Sequence, residues 1–246
     1  MIPLRDANPT RRRPVVTIAL IAVCVAVFAY ELLIQSSDGD GALDAFVRQY
    51  GLVPGTLTAA LNGTQSDQLG SALRSVFTSM FLHGGWIHLI GNMLYLWILG
   101  NNIEDRLGRL GFLVFYLVGG VAAAVSQVLV GPQSELPVIG ASGAIAAVLG
   151  AYLVLYPRAR VLSLVFLGFF YQLLHVPAVI VLGLWFVLQL IDGVASLGVT
   201  STNGGVALFE HIGGFIAGVI VGFLIRTVGT SRRPQPAPSI DGVGVG

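Results

Sequence analysis

Apolar positions in this chain fall in long blocks separated by short polar stretches, a pattern that soluble helices do not show. The first block, Val15 to Ile34, follows Arg11, Arg12, Arg13 and Pro14. Proline suits the first turn of a helix, where its missing N–H has no intrahelical partner to lose. The block outruns the apolar part of a signal peptide and ends in Tyr30, Glu31, Leu32 and Leu33 without a small-x-small cleavage pattern, so it predicts an uncleaved helix. Later blocks predict helices over about 86–105, 111–130, 138–156, 177–197 and 206–226. About 20 apolar residues span a bilayer, so the predicted fold class is all-α, a polytopic membrane protein with a bundle of six transmembrane helices.

The remaining stretches complete the expected organisation. Residues 1–14 form an N-terminal segment, 15–228 one membrane domain, and 229–246 a tail whose proline and glycine content predicts disorder. Gln35 to Ser75 is polar and acid-bearing and is expected to be a long extramembrane loop, with Leu69 to Leu82 suited to an interfacial helix. Val161 to His175 is apolar but short for a span, contains Gly168 and stops at Pro177, which places it in or along the interface.

Composition strengthens the membrane reading. Of 246 residues, 55% are apolar and 10% charged, against roughly a quarter charged in ordinary soluble domains. There is no lysine. With the N-terminus inside, eleven of the thirteen arginines lie inside (Arg5, Arg11, Arg12, Arg13, Arg106, Arg109, Arg158, Arg160, Arg226, Arg232 and Arg233), and only Arg48 and Arg74 lie outside. That asymmetry supports an even number of spans with both termini cytoplasmic; a seventh span would strand the C-terminal arginines outside. No basic stripe suited to nucleic acid exists, and the single cysteine, Cys24, excludes an intramolecular disulfide.

Polar groups inside spans are costly and so are candidates for function. His88, Asn92, Ser142, Gln127, Gln189, Asp192, Glu210 and His211 make up the principal set. Each alone is adequately explained as a tie between helices or to its own backbone. Four of them, however, share a depth. His88 and Asn92 are i and i+4 on one face near the outer end of the second helix, Ser142 lies near the start of the fourth, and His211 lies about one and a half turns into the sixth. Gly214, Gly218 and Gly222 on the sixth helix, and Gly140, Gly143, Ala146, Ala147 and Gly150 around the fourth, allow those two helices to approach closely. A serine hydroxyl becomes a nucleophile when a base takes its proton, and an imidazole is the suitable base here. The spacing thus predicts Ser142 as nucleophile and His211 as base. Asn92, His88 and the Ser142 amide would meet the oxyanion. Glu210 points about 100° away from its neighbour His211, and Asp192 lies near the outer end of the fifth helix, so a dyad without an acidic third member is expected.

These residues resemble the rhomboid family of intramembrane serine proteases. The resemblance rests on Phe81-Leu82-His83-Gly84-Gly85-Trp86-Ile87-His88-Leu89-Ile90-Gly91-Asn92, on Gly140-Ala141-Ser142-Gly143, and on His211-Ile212-Gly213-Gly214 followed by Gly218. It implies Ser142 and His211 as the catalytic dyad and His88 and Asn92 as oxyanion-stabilising groups. The implied substrates are membrane proteins whose span unwinds near its outer end at small, helix-breaking residues. It further implies a gate formed by Pro177 to Leu197 and Gly198 to Gly205, and a structural acid and base at Glu104 and Arg106. Three positions depart from the family pattern: Leu73 stands in place of the tryptophan before Arg74, Ala146 replaces a tyrosine that commonly stacks on the histidine, and Glu210 replaces an alanine.

A noncatalytic rhomboid-like protein that binds membrane clients is the main alternative, although such proteins typically lack the serine or histidine. A transporter is disfavoured because there is no obvious inverted repeat and the polar groups gather at one depth. No H-E-x-x-H is present and no cofactor or metal is expected. The expected partners are transmembrane substrates and the lipid bilayer, with no nucleic acid and no oligomeric state indicated. The expected setting is a bacterial plasma membrane.

Overall fold

The computed structural model describes residues 1–167, 170–197 and 208–229. The expected gate loop Gly198 to Gly205 and the tail beyond Gly229 lie outside the described residues, as do the side chains of Gln189 and Asp192.

In chain order, strand β1 (Ile2–Asp6) precedes helices α1 (Val15–Asp38), α2 (Asp40–Tyr50), α3 (Pro54–Leu61) and α4 (Leu69–Thr78). Then come α5 (Trp86–Tyr95), a π-helical turn (Leu96–Gly100) and α6 (Asn101–Leu107), which run on as one helical rod. They are followed by α7 (Arg109–Val130), α8 (Ser142–Leu155), strands β2 (Arg160–Leu167) and β3 (Phe170–Pro177), α9 (Ala178–Leu197) and α10 (Leu208–Gly229). Among the described residues, Val15–Asp38, Arg109–Val130 and Leu208–Thr227 are long and apolar enough to cross a membrane. Ser142–Leu155 is a shorter apolar helix, as is the Ala178–Val187 part of α9. The architecture is therefore the expected polytopic helical one.

Helix α8 occupies the centre. Every residue from Ala141 to Tyr152 is buried, as befits a helix that is apolar on all faces. Its 14 residues give about 21 Å of length at 1.5 Å per residue, against about 30 Å of hydrocarbon. Its first residue can therefore lie well below one membrane surface. On one side Gly119 of α7 meets Ala147; on the other, Gly214, Gly218 and Gly222 of α10 rest on Gly143, Ala147 and Ala151. In the opposite direction, a β-carbon on Gly150 would collide with the carbonyl oxygen of Phe215. The two helices run parallel at backbone contact, as the small-residue spacing predicted. Around this core, exposed apolar side chains such as Ile18, Val23, Val114, Val118, Ile216 and Ile220 face outward, a distribution suited to lipid.

Three expectations need correction. The fourth helix was expected to begin at Val138. Instead Val138 is extended and pairs with Leu52, their amides and carbonyls exchanging bonds of 3.0 and 2.7 Å, and the helix begins at Ser142. Periodicity within Val138–Tyr156 cannot reveal a bridge to a segment 86 residues away. The stretch Gln35 to Ser75 is not a loop before Leu69, where α2 and α3 fold; α4 lies within the expected Leu69–Leu82 helix, and its Ala72 and Val76 pack with Leu52, Leu57 and Ala60 in a second small core. The third concerns the local structure of Val161 to His175, whose interfacial placement named no strands, and of residues 1–14, which were given no regular structure. They form an antiparallel sheet of order β1-β2-β3, with Val161 opposite Val176 and Leu164 opposite both Ile2 and Leu173. The β-branched and aromatic residues of this stretch favour a pleated surface. The strands also satisfy backbone groups that a short apolar coil would leave unpaired.

The sheet sits at the arginine-bearing end, and Asp6 anchors it. Its carboxylate accepts from the Asn8 amide at 2.8 Å, from Asn102 Nδ2 at 2.8 Å and from the Tyr152 hydroxyl, tying β1 to α6 and α8.

Candidate active site

Ser142 is the first residue of α8, after an N-cap at Ala141. The Ala141 carbonyl accepts the Ile145 amide at 2.9 Å, so the amides of Ser142, Gly143 and Ala144 begin the helix without an intrahelical acceptor. Gly140 makes this start possible. Its φ of +131° favours glycine, and its amide donates to the Ser79 carbonyl at 2.9 Å.

The glycine contacts of α10 against α8 bring His211 to Ser142. His211 Nε2 lies 2.7 Å from Ser142 Oγ, and both side chains are buried. The other ring nitrogen, Nδ1, has no hydrogen-bond partner among the described residues, and no described acid lies behind the imidazole. Glu210, adjacent in sequence, turns away from the pair and lies against Gly143, where a β-carbon would stand 2.8 Å from its Oε1. Its Oε2 is buried without a partner among the described residues.

The α5 residues flank the same point. A β-carbon on Gly140 would lie 2.7 Å from His88 Nε2 and 3.4 Å from Ser142 Oγ, so His88 and the serine border one small space beside Gly140. The His88 Nδ1 accepts from the Gly84 amide at 3.3 Å, which leaves Nε2 as the protonated nitrogen of a neutral ring. One turn further along α5, Asn92 is buried and its Nδ2 donor is unpartnered among the described residues. The structure thus gathers Ser142, His211 and His88, and holds Asn92 on the same helix face as His88.

Supporting contacts hold α5 at both ends. His83 is buried between Glu31, whose carboxylate accepts the His83 amide at 3.3 Å, and His88, whose ring centroid lies 5.2 Å away. Burial, with His88 beside it, pushes the His83 imidazole down to about 4. At the other end Glu104 accepts from the amides of Val16 and Thr17 at 2.9 and 2.8 Å and from the Thr17 hydroxyl at 2.8 Å. It thereby caps the start of α1. Arg106 is exposed.

Two further residues, not singled out by the sequence pattern, bear on the site. Glu31 carried a usable signal, being a charge at the end of an apolar block. Trp185 carried none: one aromatic residue in an apolar helix is unremarkable in sequence, yet its ring packs on His211 with centroids 5.6 Å apart.

A polytopic helical membrane protein with a buried serine and histidine in hydrogen-bond contact at one end of its central helix is the class defined by this fold and site. The Rhomboid domain model matches residues 70–228, more than half of the chain, and the chain belongs to the rhomboid family. It is 30% identical over 175 residues to the mitochondrial Rhomboid protein 1 of Saccharomyces cerevisiae, covering 70% of this chain and 47% of that protein. It is 34% identical over 143 residues to Rhomboid protease GluP of Bacillus subtilis, covering 58% of this chain and 24% of that one. With Presenilin-associated rhomboid-like protein A, mitochondrial, of Danio rerio it shares 42% identity over 84 residues, 33% of this chain and 22% of that protein. The chain therefore spans about half or less of the length of these relatives.

Proposed function

We propose that this rhomboid-family protein is an intramembrane serine endopeptidase that cleaves the spans of membrane proteins near the outer face of the bilayer. The observation that carries this reading is the 2.7 Å contact between Ser142 Oγ and His211 Nε2 in a buried setting. The Bacillus subtilis relative is named a rhomboid protease, which supports the same chemistry.

In this reading His211 Nε2 accepts the Ser142 proton as Oγ attacks a peptide carbonyl. The developing oxyanion takes bonds from His88 Nε2–H, the Asn92 amide and the free amide at the start of α8. Collapse of the tetrahedral species breaks the C–N bond, and His211 returns its proton to the leaving amine. Water, deprotonated by the same imidazole, then releases the acyl group from Ser142. The proposed chemistry calls for no cofactor or metal. Substrate spans that unwind easily at small, helix-breaking residues suit a site that must receive an extended backbone. The membrane domain is taken as 15–228, with residues 1–14 and 229–246 on the cytoplasmic face of a bacterial plasma membrane, an assignment that fractionation of a tagged protein would test.

Treatment of the purified protein with a fluorophosphonate probe, followed by intact mass and adduct mapping, tests the mechanism without a known substrate. A single adduct on Ser142, absent in Ser142→Ala and His211→Ala, is expected. A folded protein that takes no adduct would instead favour noncatalytic binding of membrane clients.

A further inference from the structure

The imidazole of His211 is buried but makes few hydrogen bonds among the described residues. Nε2 meets Ser142 Oγ, and Nδ1 has no partner among the described residues. A base tethered through one nitrogen turns about its Cβ–Cγ bond unless something bears on the ring. Helix α8 supplies nothing of the kind: the residue one turn beyond Ser142 is Ala146, fully buried and too small to reach across.

Trp185 of α9 fills that role. It is 6% exposed, and its ring approaches His211 edge-on, with centroids 5.6 Å apart and planes at 61°. Its own position is fixed from two sides. Tyr95 of α5 lies 5.9 Å away at 57°, and the next residue, Phe186, packs 5.7 Å from Phe215 of α10. Ala178, Val181 and Leu182 bury the same face of α9, while Val179, Ile180 and Val187 are exposed on the other. Trp185 thus projects from the inner face of α9 into the space beside the dyad. An edge-to-face aromatic pair is directional, so it restrains ring orientation as well as filling volume.

We propose that Trp185 is a positioning residue for His211, holding the imidazole in the rotation that points Nε2 at Ser142. The base is then oriented from α9, although the nucleophile is carried by α8. This proposal rests on the reading of Ser142 and His211 as nucleophile and base.

The test is the concentration dependence of fluorophosphonate labelling in the full chain, which separates probe binding from the bond-forming step at Ser142. Trp185→Ala is expected to slow the bond-forming step about three- to ten-fold, the range expected for loss of one aromatic pair, with the half-saturating probe concentration unchanged. Trp185→Phe keeps a ring edge at His211 and is expected to stay within about twofold of wild type. It also keeps the proposal testable if the alanine variant fails to fold. Three results would overturn the proposal: Trp185→Ala labelling at the wild-type rate, a defect confined to probe binding, or Trp185→Phe as slow as Trp185→Ala. A wild-type protein that takes no adduct would overturn the dyad reading itself, and this proposal with it. Labelled wild type with an unaffected Trp185→Ala removes the proposal alone.

Discussion

Gly218 of α10 rests directly on the carbonyl of Ala147 of α8, so closely that a β-carbon at position 218 would collide with backbone. His211 lies two turns before Gly218 on α10, and Ser142 lies five residues before Ala147 on α8. The distance between Ser142 Oγ and His211 Nε2 is therefore set by helix packing below the pair.

Gly218→Leu should force α8 and α10 apart. Overpacking of this kind costs about 1–3 kcal/mol, and the displaced dyad should also lose fluorophosphonate labelling. Thermal unfolding in detergent and labelling of the same sample measure both. Wild-type labelling in a folded Gly218→Leu protein would show that this contact does not set the alignment.

Under the proposed mechanism Ser142→Ala and His211→Ala should each abolish cleavage of a model spanning substrate, since one removes the proposed nucleophile and the other its proposed base. Asn92→Ala should retain measurable turnover, lowered about a hundred-fold, the usual effect of losing one oxyanion donor. Full activity in either dyad variant would refute the mechanism.

Gly140→Ala should affect chemistry more than folding. Its φ of +131° is costly for alanine, and the added methyl would press on His88 Nε2. Strain of about 1–3 kcal/mol and displacement of His88 predict a modest fall in melting temperature with a large fall in turnover. Proportionate losses of both would assign the defect to unfolding.

Glu104→Ala leaves the first-turn amides of α1 and the buried Thr17 hydroxyl without their acceptor. Unmet buried donors cost about 1–3 kcal/mol each. Glu104→Gln, which keeps one acceptor oxygen, should lose roughly half as much. Unfolding midpoints of the two variants decide this, and equal losses would contradict the capping role.

His83 should make the protein acid-sensitive. Its imidazole is held near 4 in the fold against an ordinary 6.5, so the unfolded chain takes up the proton first. The stability from a neutral His83 is complete above pH 6.5 and declines as pH falls towards 4. Denaturation midpoints across that range should drop, and less steeply in His83→Gln. An identical slope in the variant would assign the decline to other groups.

Much of the site is legible in one dimension. His88 and Asn92 are one turn apart, so their shared face follows from helix geometry. Gly214, Gly218 and Gly222 repeat every four residues, and that period alone marks a face for close approach. Leu52 pairing with Val138 is invisible to the same reasoning, because the partners are far apart in sequence and each looks like an ordinary apolar residue.

What the sequence by itself determined is the membrane character, the helix face shared by His88 and Asn92, and the small-residue faces that let two helices touch. All follow from hydropathy, rise per residue and i+4 spacing, which are properties of single segments. Tertiary structure alone decided that α8 starts at Ser142, that Val161 to His175 pairs as strands with residues 2–6, and that Trp185 packs on His211. In a chain where lipid-facing and core-facing side chains are both apolar, hydropathy does not distinguish the face of α9 that looks outward from the face that packs on His211. Only the assembled helices make that distinction.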